Sequence, residues 1–238
     1  MSKIKESVIA IKYPNVTFNP KGNKSKNRYI TPKLLEEHIL WLLDWRYNPL
    51  TSDEFKQFLF QEVDIPFKSF IMIFEGGYKN IKQYAHPILK RYKIPALIFL
   101  VVNHIGDYNR WDNGEEQILS VEDISEMNKS TMFTFGSQSK SHKNLIKCSP
   151  EELNDEIIRA NALLEEVLRY KVEYFLYPYN KYNSRVVDKL YEAQVPMAFV
   201  ERTAQVTNLR SFQEIPCIRM SEKDKYLKFL SKIRKLEY

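Results

Sequence analysis

The stretch Ser69–Phe74, Ser-Phe-Ile-Met-Ile-Phe, constrains the fold more than any other part of the chain. It is almost wholly apolar, too short for a helix, rich in β-favouring residues and closed by Gly76-Gly77, so it reads as a strand covered on both faces. Such strands belong to parallel sheets wrapped by helices. At its C-terminal end stands one carboxylate, Glu75, at the edge where parallel α/β folds place their chemistry.

The rest of the chain alternates to match. Residues 8–11 read as an earlier strand. Thr31-Pro32 supplies an N-cap and a first-turn proline to a helix with Leu35, Ile39, Leu42 and Leu43 on one face. Thr51-Ser52-Asp53-Glu54 is a capping box that opens a second helix through Phe55, Phe58 and Leu59. After the central strand come a helical stretch at 78–92, a strand at 96–102, a short helix capped by Ser120 and a strand at 131–135. Ser149-Pro150-Glu151-Glu152 opens the longest helix, and strands at 172–177, 197–200 and 214–219 follow around a helix at 185–193. About seven strands alternating with helices predict a parallel α/β barrel or a doubly wound sheet, in one domain over residues 1–238.

Composition narrows the classes. Of 238 residues, 44% are hydrophobic and 28% charged, which is ordinary for a globular chain with a sizeable core. Cys148 and Cys217 have no disulfide-framework or metal-ligand spacing and are expected to be plain thiols. The N-terminal residues lack an apolar secretory core and the longest apolar run, 95–102, is far short of a membrane span, so a cytoplasmic location is expected. The net charge of +6 favours anionic surfaces or polymers. The polar loop 19–28, with four cations, is expected to be solvated. The basic stretch 222–238 offers two readings: weak contact with an anionic surface, or a helix whose apolar stripe closes the barrel while its lysines face water, which is the expectation here. No nucleic-acid motif accompanies the charge, so nucleic acid is not an expected partner.

Phe74-Glu75-Gly76-Gly77-Tyr78, followed by Tyr-Ala-His-Pro-Ile-Leu-Lys-Arg-Tyr-Lys-Ile-Pro-Ala over 84–96, resembles the polysaccharide deacetylase family, carbohydrate esterase family four. The family's pattern is Phe-Asp-Asp-Gly-Tyr and then a helix ending Pro-Ile-Leu-Lys-Lys-Tyr-x-Ile-Pro-Ala. Gly136-Ser137-Gln138-Ser139-Lys140-Ser141-His142 is similar to the family's Gly-Ser-His-Thr-x-x-His, and Tyr177-Pro178-Tyr179-Asn180-Lys181-Tyr182-Asn183 to its Tyr-Pro-Tyr-Gly-x-Tyr-Asn. The resemblance spans nearly the whole chain and implies a distorted (β/α) barrel of about seven strands.

It also implies what has changed. In active members the first aspartate is the general base, and the second aspartate and two histidines hold a divalent metal that polarises the acetamide carbonyl and activates water. Here the base position is Glu75, the metal aspartate is Gly76, the first histidine is Gln138, and the second alone survives as His142; an early Tyr-His appears as Tyr13-Pro14. A catalytic zinc-type site needs about three protein ligands, and glycine supplies none while an amide is a poor one. The expectation is therefore a degenerate site with impaired or absent hydrolysis, no metal cofactor, and a retained cleft for an N-acetylated sugar, with Glu75 and His142 as candidate catalytic positions and Gly76, Gln138, Tyr177, Tyr179 and Arg219 around them. The alternative is an active metal-dependent N-deacetylase binding zinc, cobalt or nickel through Glu75, His142 and Asp107 or Asp112. His142 is otherwise expected to be hydrogen-bonded within an inherited pocket. His38 and His86 read as packing residues, whereas His104 follows a strand and could approach the site. The loop at 104–119, with Tyr108 and Trp111, reads equally as a sugar-groove wall or a surface loop with an anchoring tryptophan.

Overall fold

The computed structural model describes residues 8–18, 28–60, 63–112, 114–206 and 211–236. The expectation for the polar loop thus falls outside these residues except at Arg28. Seven parallel strands are β1 (Val8–Tyr13), β2 (Ser69–Phe74), β3 (Ala96–Leu100), β4 (Phe133–Ser137), β5 (Tyr174–Leu176), β6 (Met197–Glu201) and β7 (Ile215–Arg219). They hydrogen-bond in the order β1-β7-β6-β5-β4-β3-β2, and β2 returns to β1 in register from Val8 opposite Ser69 to Tyr13 opposite Phe74. The sheet is therefore a closed barrel, with a short strand Asn48–Pro49 added beside β2.

Alternation along the strands divides the core in two. Val8, Ala10, Ile71, Ile73, Leu97, Phe99, Phe199 and Cys217 fill the barrel interior, closed below by Phe55 and Leu59 of the helix Ser52–Leu59. Ile9, Ile11, Met72, Phe74, Ile98 and Leu100 point outward, under Leu35 and Ile39 of α1 (Pro32–Asp44) and other surrounding helices. The caps named in the sequence form: Thr51 with Glu54, Ser120 with Asp123 and Ser149 with Glu152 are reciprocal capping boxes, and Thr31 caps α1.

Several boundaries differ from expectation: β3 stops at Leu100, β5 spans only Tyr174–Leu176, and a π-helical stretch Asn154–Arg159 interrupts the long helix that Ser149 opens. Strand β4 begins at Phe133 and runs on to Ser137, because Thr131 and Met132 are spent in a turn. The helix expected from Tyr78 opens with a π-helical turn, Ile81–Ala85, before His86–Tyr92; Pro87 has no N–H to continue an α-ladder back across that turn. The basic terminal helix Tyr226–Arg234 buries Phe229 and Ile233. Phe229 stacks on His38 of α1 with ring centroids 4.1 Å apart, and Tyr226 meets Trp41 edge-on at 5.1 Å. Its apolar stripe thus closes the outside of the barrel. Among the described residues no helix is long and apolar enough to cross a membrane. Both cysteines are buried free thiols.

Candidate functional site

Because every strand is parallel, all C-terminal ends open at one mouth, and register decides which side chains meet there. Lys12 pairs with Arg219 across β1 and β7, and Cys217 with Glu201 across β7 and β6. Cross-strand partners in a parallel ladder share a face, so Lys12 and Arg219 stand side by side on the interior face, continuing the Val8-Ala10 row. Two adjacent cations at a barrel mouth need counter-charge. Glu75 supplies it, 2.6 Å from Lys12 Nζ through one carboxylate oxygen and 3.0 Å from Arg219 through the other. Glu201 lies 3.0 Å from Lys12 and 3.6 Å from Arg219. Two cations and two carboxylates make a neutral quartet capping the barrel interior.

Its electrostatics follow from this packing. Burial alone would push the Glu75 carboxyl up, but Lys12 and Arg219 outweigh it and hold the carboxyl down at about 2. Burial opposes the Lys12 charge too, yet Glu75, with Glu201 further off, leaves its ammonium above the ordinary lysine value. Arg219 is raised chiefly by Glu75. Glu75 is thus a fixed anion with both oxygens engaged, rather than a carboxylate free to take a proton from water.

The neighbouring family positions are occupied in other ways. Gly76 has φ +81°, a conformation that disfavours any side chain, and a Cβ built there would lie 2.6 Å from the Tyr78 ring. Its N–H donates to Gln138 Oε1 at 2.9 Å, so the amide that replaces the first histidine ties the end of β4 to the end of β2. His142 is buried. Its ring stacks on Trp111 with centroids 5.2 Å apart and meets Tyr179 edge-on at 4.6 Å. The expectation that His142 is hydrogen-bonded needs correcting in its ring: Nδ1 is buried without a partner among the described residues, while the backbone N–H donates to Ser139 Oγ at 3.1 Å. Aromatic packing holds this imidazole, and burial lowers its pKa to about 4, leaving it neutral near pH 7.

Glu75, Gly76, Gln138, His142, Tyr177, Tyr179 and Arg219 all line one cavity of about 430 Å³, together with Trp111 and Asp112. The loop at 104–119 is therefore a groove wall. Tyr177 is fixed by donating to the Gln213 carbonyl at 3.0 Å, whereas Tyr179 stays half exposed. His104 packs against Trp111, ring centroids 5.2 Å apart, and does not line the cavity. His38 is a core residue: its Nε2–H donates to the Asp224 carbonyl at 2.6 Å and Tyr13 Oη donates to its Nδ1 at 3.2 Å. His86 packs edge-on against Phe133.

A divalent metal does not fit this residue set. Glycine offers no ligand, the Gln138 oxygen is taken by an amide, and both Glu75 oxygens face cations that would repel a third. The rearranged set does not assemble either. Asp107 pairs with Arg110 at 2.7 Å away from the cavity, and Asp112 lines it but is paired with Arg28. Among the described residues no three His, Cys, Asp or Glu side chains come together to hold a metal ion.

Sequence reasoning missed Lys12 and Glu201. A signal for the first was present, since Lys12 is a lone charge inside an otherwise buried strand on the same parity as Val8 and Ala10. Glu201 carried none, because a carboxylate just past a short strand is usually solvated.

A closed seven-stranded parallel barrel with these motifs at its mouth defines a carbohydrate-esterase-type fold. Residues 62–198 match the family described as polysaccharide deacetylase, and the chain belongs to it. Two curated relatives are each 26% identical. A poly-β-1,6-N-acetyl-D-glucosamine N-deacetylase of Staphylococcus aureus matches over 87% of this chain and 73% of its own length. A putative polysaccharide deacetylase of Bacillus subtilis matches over 66% of this chain, which spans only 53% of that protein. Among solved structures, a Streptococcus pyogenes deacetylase in complex with acetate superposes with TM-score 0.82 over 96% of this chain and 98% of that one at 16% identity. A de-N-acetylase from Aggregatibacter actinomycetemcomitans gives TM-score 0.82 over 95% of this chain and 100% of its own, also at 16%.

Proposed function

We propose that this chain is a polysaccharide-deacetylase-family protein whose metal centre has been replaced by a neutral ion-pair quartet, leaving a cleft that binds an N-acetylated glycan with little or no hydrolysis. The observation that carries the reading is the engagement of both Glu75 oxygens by Lys12 and Arg219. A base for water must accept a proton near neutral pH, and a carboxylate held at about 2 does so poorly. The same ammonium fills the charge role that a divalent ion would otherwise take, without being able to polarise a carbonyl as a Lewis acid.

Binding is a separate matter from turnover. Trp111 and Tyr179 line the cavity together with the charged quartet, a mix of aromatic and ionic surface suited to an amphipathic sugar ring. The staphylococcal relative acts on poly-N-acetylglucosamine, which makes an N-acetylglucosamine oligomer the first ligand to try.

The test is metal content together with acetate release. Protein purified without chelator is expected to carry no stoichiometric metal, to melt at the same temperature with and without EDTA, and to release acetate from N-acetylglucosamine oligomers no faster than a boiled control. Zinc, cobalt or nickel bound one per chain and lost in His142→Ala, or acetate release abolished by Glu75→Ala, would establish the active, rearranged enzyme instead. In the binding reading, Trp111→Ala is expected to weaken oligomer binding at least about fivefold, since an aromatic–sugar stacking face contributes on the order of 1 kcal/mol.

A further inference from the structure

Beside the cavity over Glu75 lies a second, of about 540 Å³, and the two share Arg28, Glu201 and Arg219 as a common wall. Arg28, Arg202, Arg219, Lys228 and Lys232 all line it. Against these five cations stand two carboxylates, Glu201 and Asp224, both already engaged. Glu201 belongs to the quartet. Asp224 faces Lys232 at 2.9 Å and Lys228 at 3.7 Å, and accepts the Ser221 amide at 2.8 Å. Lys228 therefore shares one carboxylate with a better-placed lysine. Arg28 reaches across the wall to Asp112. Arg202 donates to the Glu214 carbonyl at 3.4 Å and has no ion pair among the described residues.

A surplus of cations on a convex face is ordinary solvated surface. Here it lines a concave space at the barrel mouth, where low-dielectric walls focus the field on whatever enters. Guanidinium groups are suited to planar, two-point recognition of oxyanions, and Arg202 leaves donors uncommitted. The basin adjoins the cavity lined by Trp111 and Tyr179, so a sugar chain crossing Glu75 and passing over the shared wall would set its neighbouring unit in it.

We infer that the ligand of this cleft is an acidic glycan, whose phosphate or carboxylate sits in the basin of Arg202, Lys228 and Arg219 while the adjacent N-acetylated unit lies over Glu75. The inference rests on the glycan-cleft reading above and specifies its substrate class.

Calorimetry on the full chain, at low and high salt, tests it with five probes. They are a neutral N-acetylglucosamine tetramer, the same tetramer bearing one 6-phosphate, a tetramer alternating N-acetylglucosamine with glucuronate, inorganic phosphate, and a short single-stranded oligonucleotide. At least one acidic tetramer is expected to bind about tenfold tighter than the neutral one at low salt, with the margin shrinking at high salt. Which of the two does so tells phosphate from carboxylate. Arg202 and Lys228 are exposed and outside the quartet, so R202A/K228A is expected to keep its melting temperature and its affinity for the neutral tetramer while losing the acidic margin. Equal affinity for neutral and acidic tetramers, or a margin that survives in the double variant, overturns the inference and leaves the glycan cleft standing. So does an oligonucleotide that binds as tightly as the acidic tetramers. Inorganic phosphate held through Arg202 and Lys228 with no sugar bound at all would overturn the glycan cleft itself and leave only an anion site.

Discussion

Replacing Lys12 by methionine is expected to destabilise the protein by about 3 kcal/mol at pH 7, the usual cost of removing one partner from a largely buried ion pair. The substitution keeps the volume of the stem and deletes only the charge, so packing loss is small. What remains is Glu75 and Glu201 sharing Arg219, two carboxylates on one guanidinium with Glu75 only 16% exposed in its side chain. Urea unfolding measures the change. Two further results distinguish an electrostatic cause from a packing one. The deficit is expected to shrink as pH falls from 7 toward 4.5, because Glu75, released from its closest cation, takes up a proton at higher pH in the variant. And K12M/E75Q is expected to be less destabilised than the two single variants added together, since removing both partners leaves no stranded charge. A K12M protein within about 0.5 kcal/mol of the parent would show that the quartet contributes nothing to the fold.

Acid is expected to unfold the protein in two stages, and the first belongs to histidine. His38 and His142 are both buried, and burial lowers each from 6.5 to about 4. Above pH 6.5 these rings are neutral in folded and unfolded chains and pH has no hold on them. As pH falls below 6.5 the unfolded chain takes up two protons that the folded chain refuses, so stability drops until about pH 4, with a limiting slope of about 2.7 kcal/mol per pH unit. Below pH 4.5 Glu75 adds the second stage. Its folded value near 2 means that the unfolded chain is protonated first, and the stability from its ion pairs is lost between about pH 4.5 and 2. The urea midpoint followed from pH 8 to pH 4 checks the first stage, and H38Q separates the two rings. A midpoint flat between pH 6.5 and 5 would mean that neither imidazole is held neutral by the fold.

The sequence was most readable where structure is local. The capping boxes at Thr51 and Ser149 and the N-cap at Ser120 lie within four residues, and each forms as expected, Ser120 adding a reciprocal bond with Asp123. The apolar run ending at Glu75 also declared a buried strand, since burial on both faces leaves no polar alternation to misread. The alternation of strands and helices left a closed barrel and an open doubly wound sheet unresolved; only the motif resemblance chose between them, because closure depends on β2 meeting β1 in register across the 55 residues between Tyr13 and Ser69. The quartet was half legible for the same reason. Glu75 and Arg219 announced themselves as polar residues at strand ends, but Lys12 joins them only through the pairing of Lys12 with Arg219 and of Tyr13 with Phe74. The ring environment of His142 was invisible, since Trp111 and Tyr179 reach it from loops that no periodicity describes.

The backbone at Gly76 makes this arrangement resist single substitutions toward the family's metal ligands. Putting back the aspartate found there in the family's pattern would place a side chain at φ +81° and drive its Cβ toward the Tyr78 ring 2.6 Å away, while the cations of Lys12 and Arg219 still hold Glu75. Putting back histidine at Gln138 alone would cut the bond to the Gly76 amide and leave that donor buried. Each single step toward a metal centre loses stability before any metal could repay it, and only a concerted change at Lys12, Gly76, Tyr78 and Gln138 avoids the valley. In the proposed reading the present mouth is a local optimum that single substitutions toward the family's metal ligands do not easily leave.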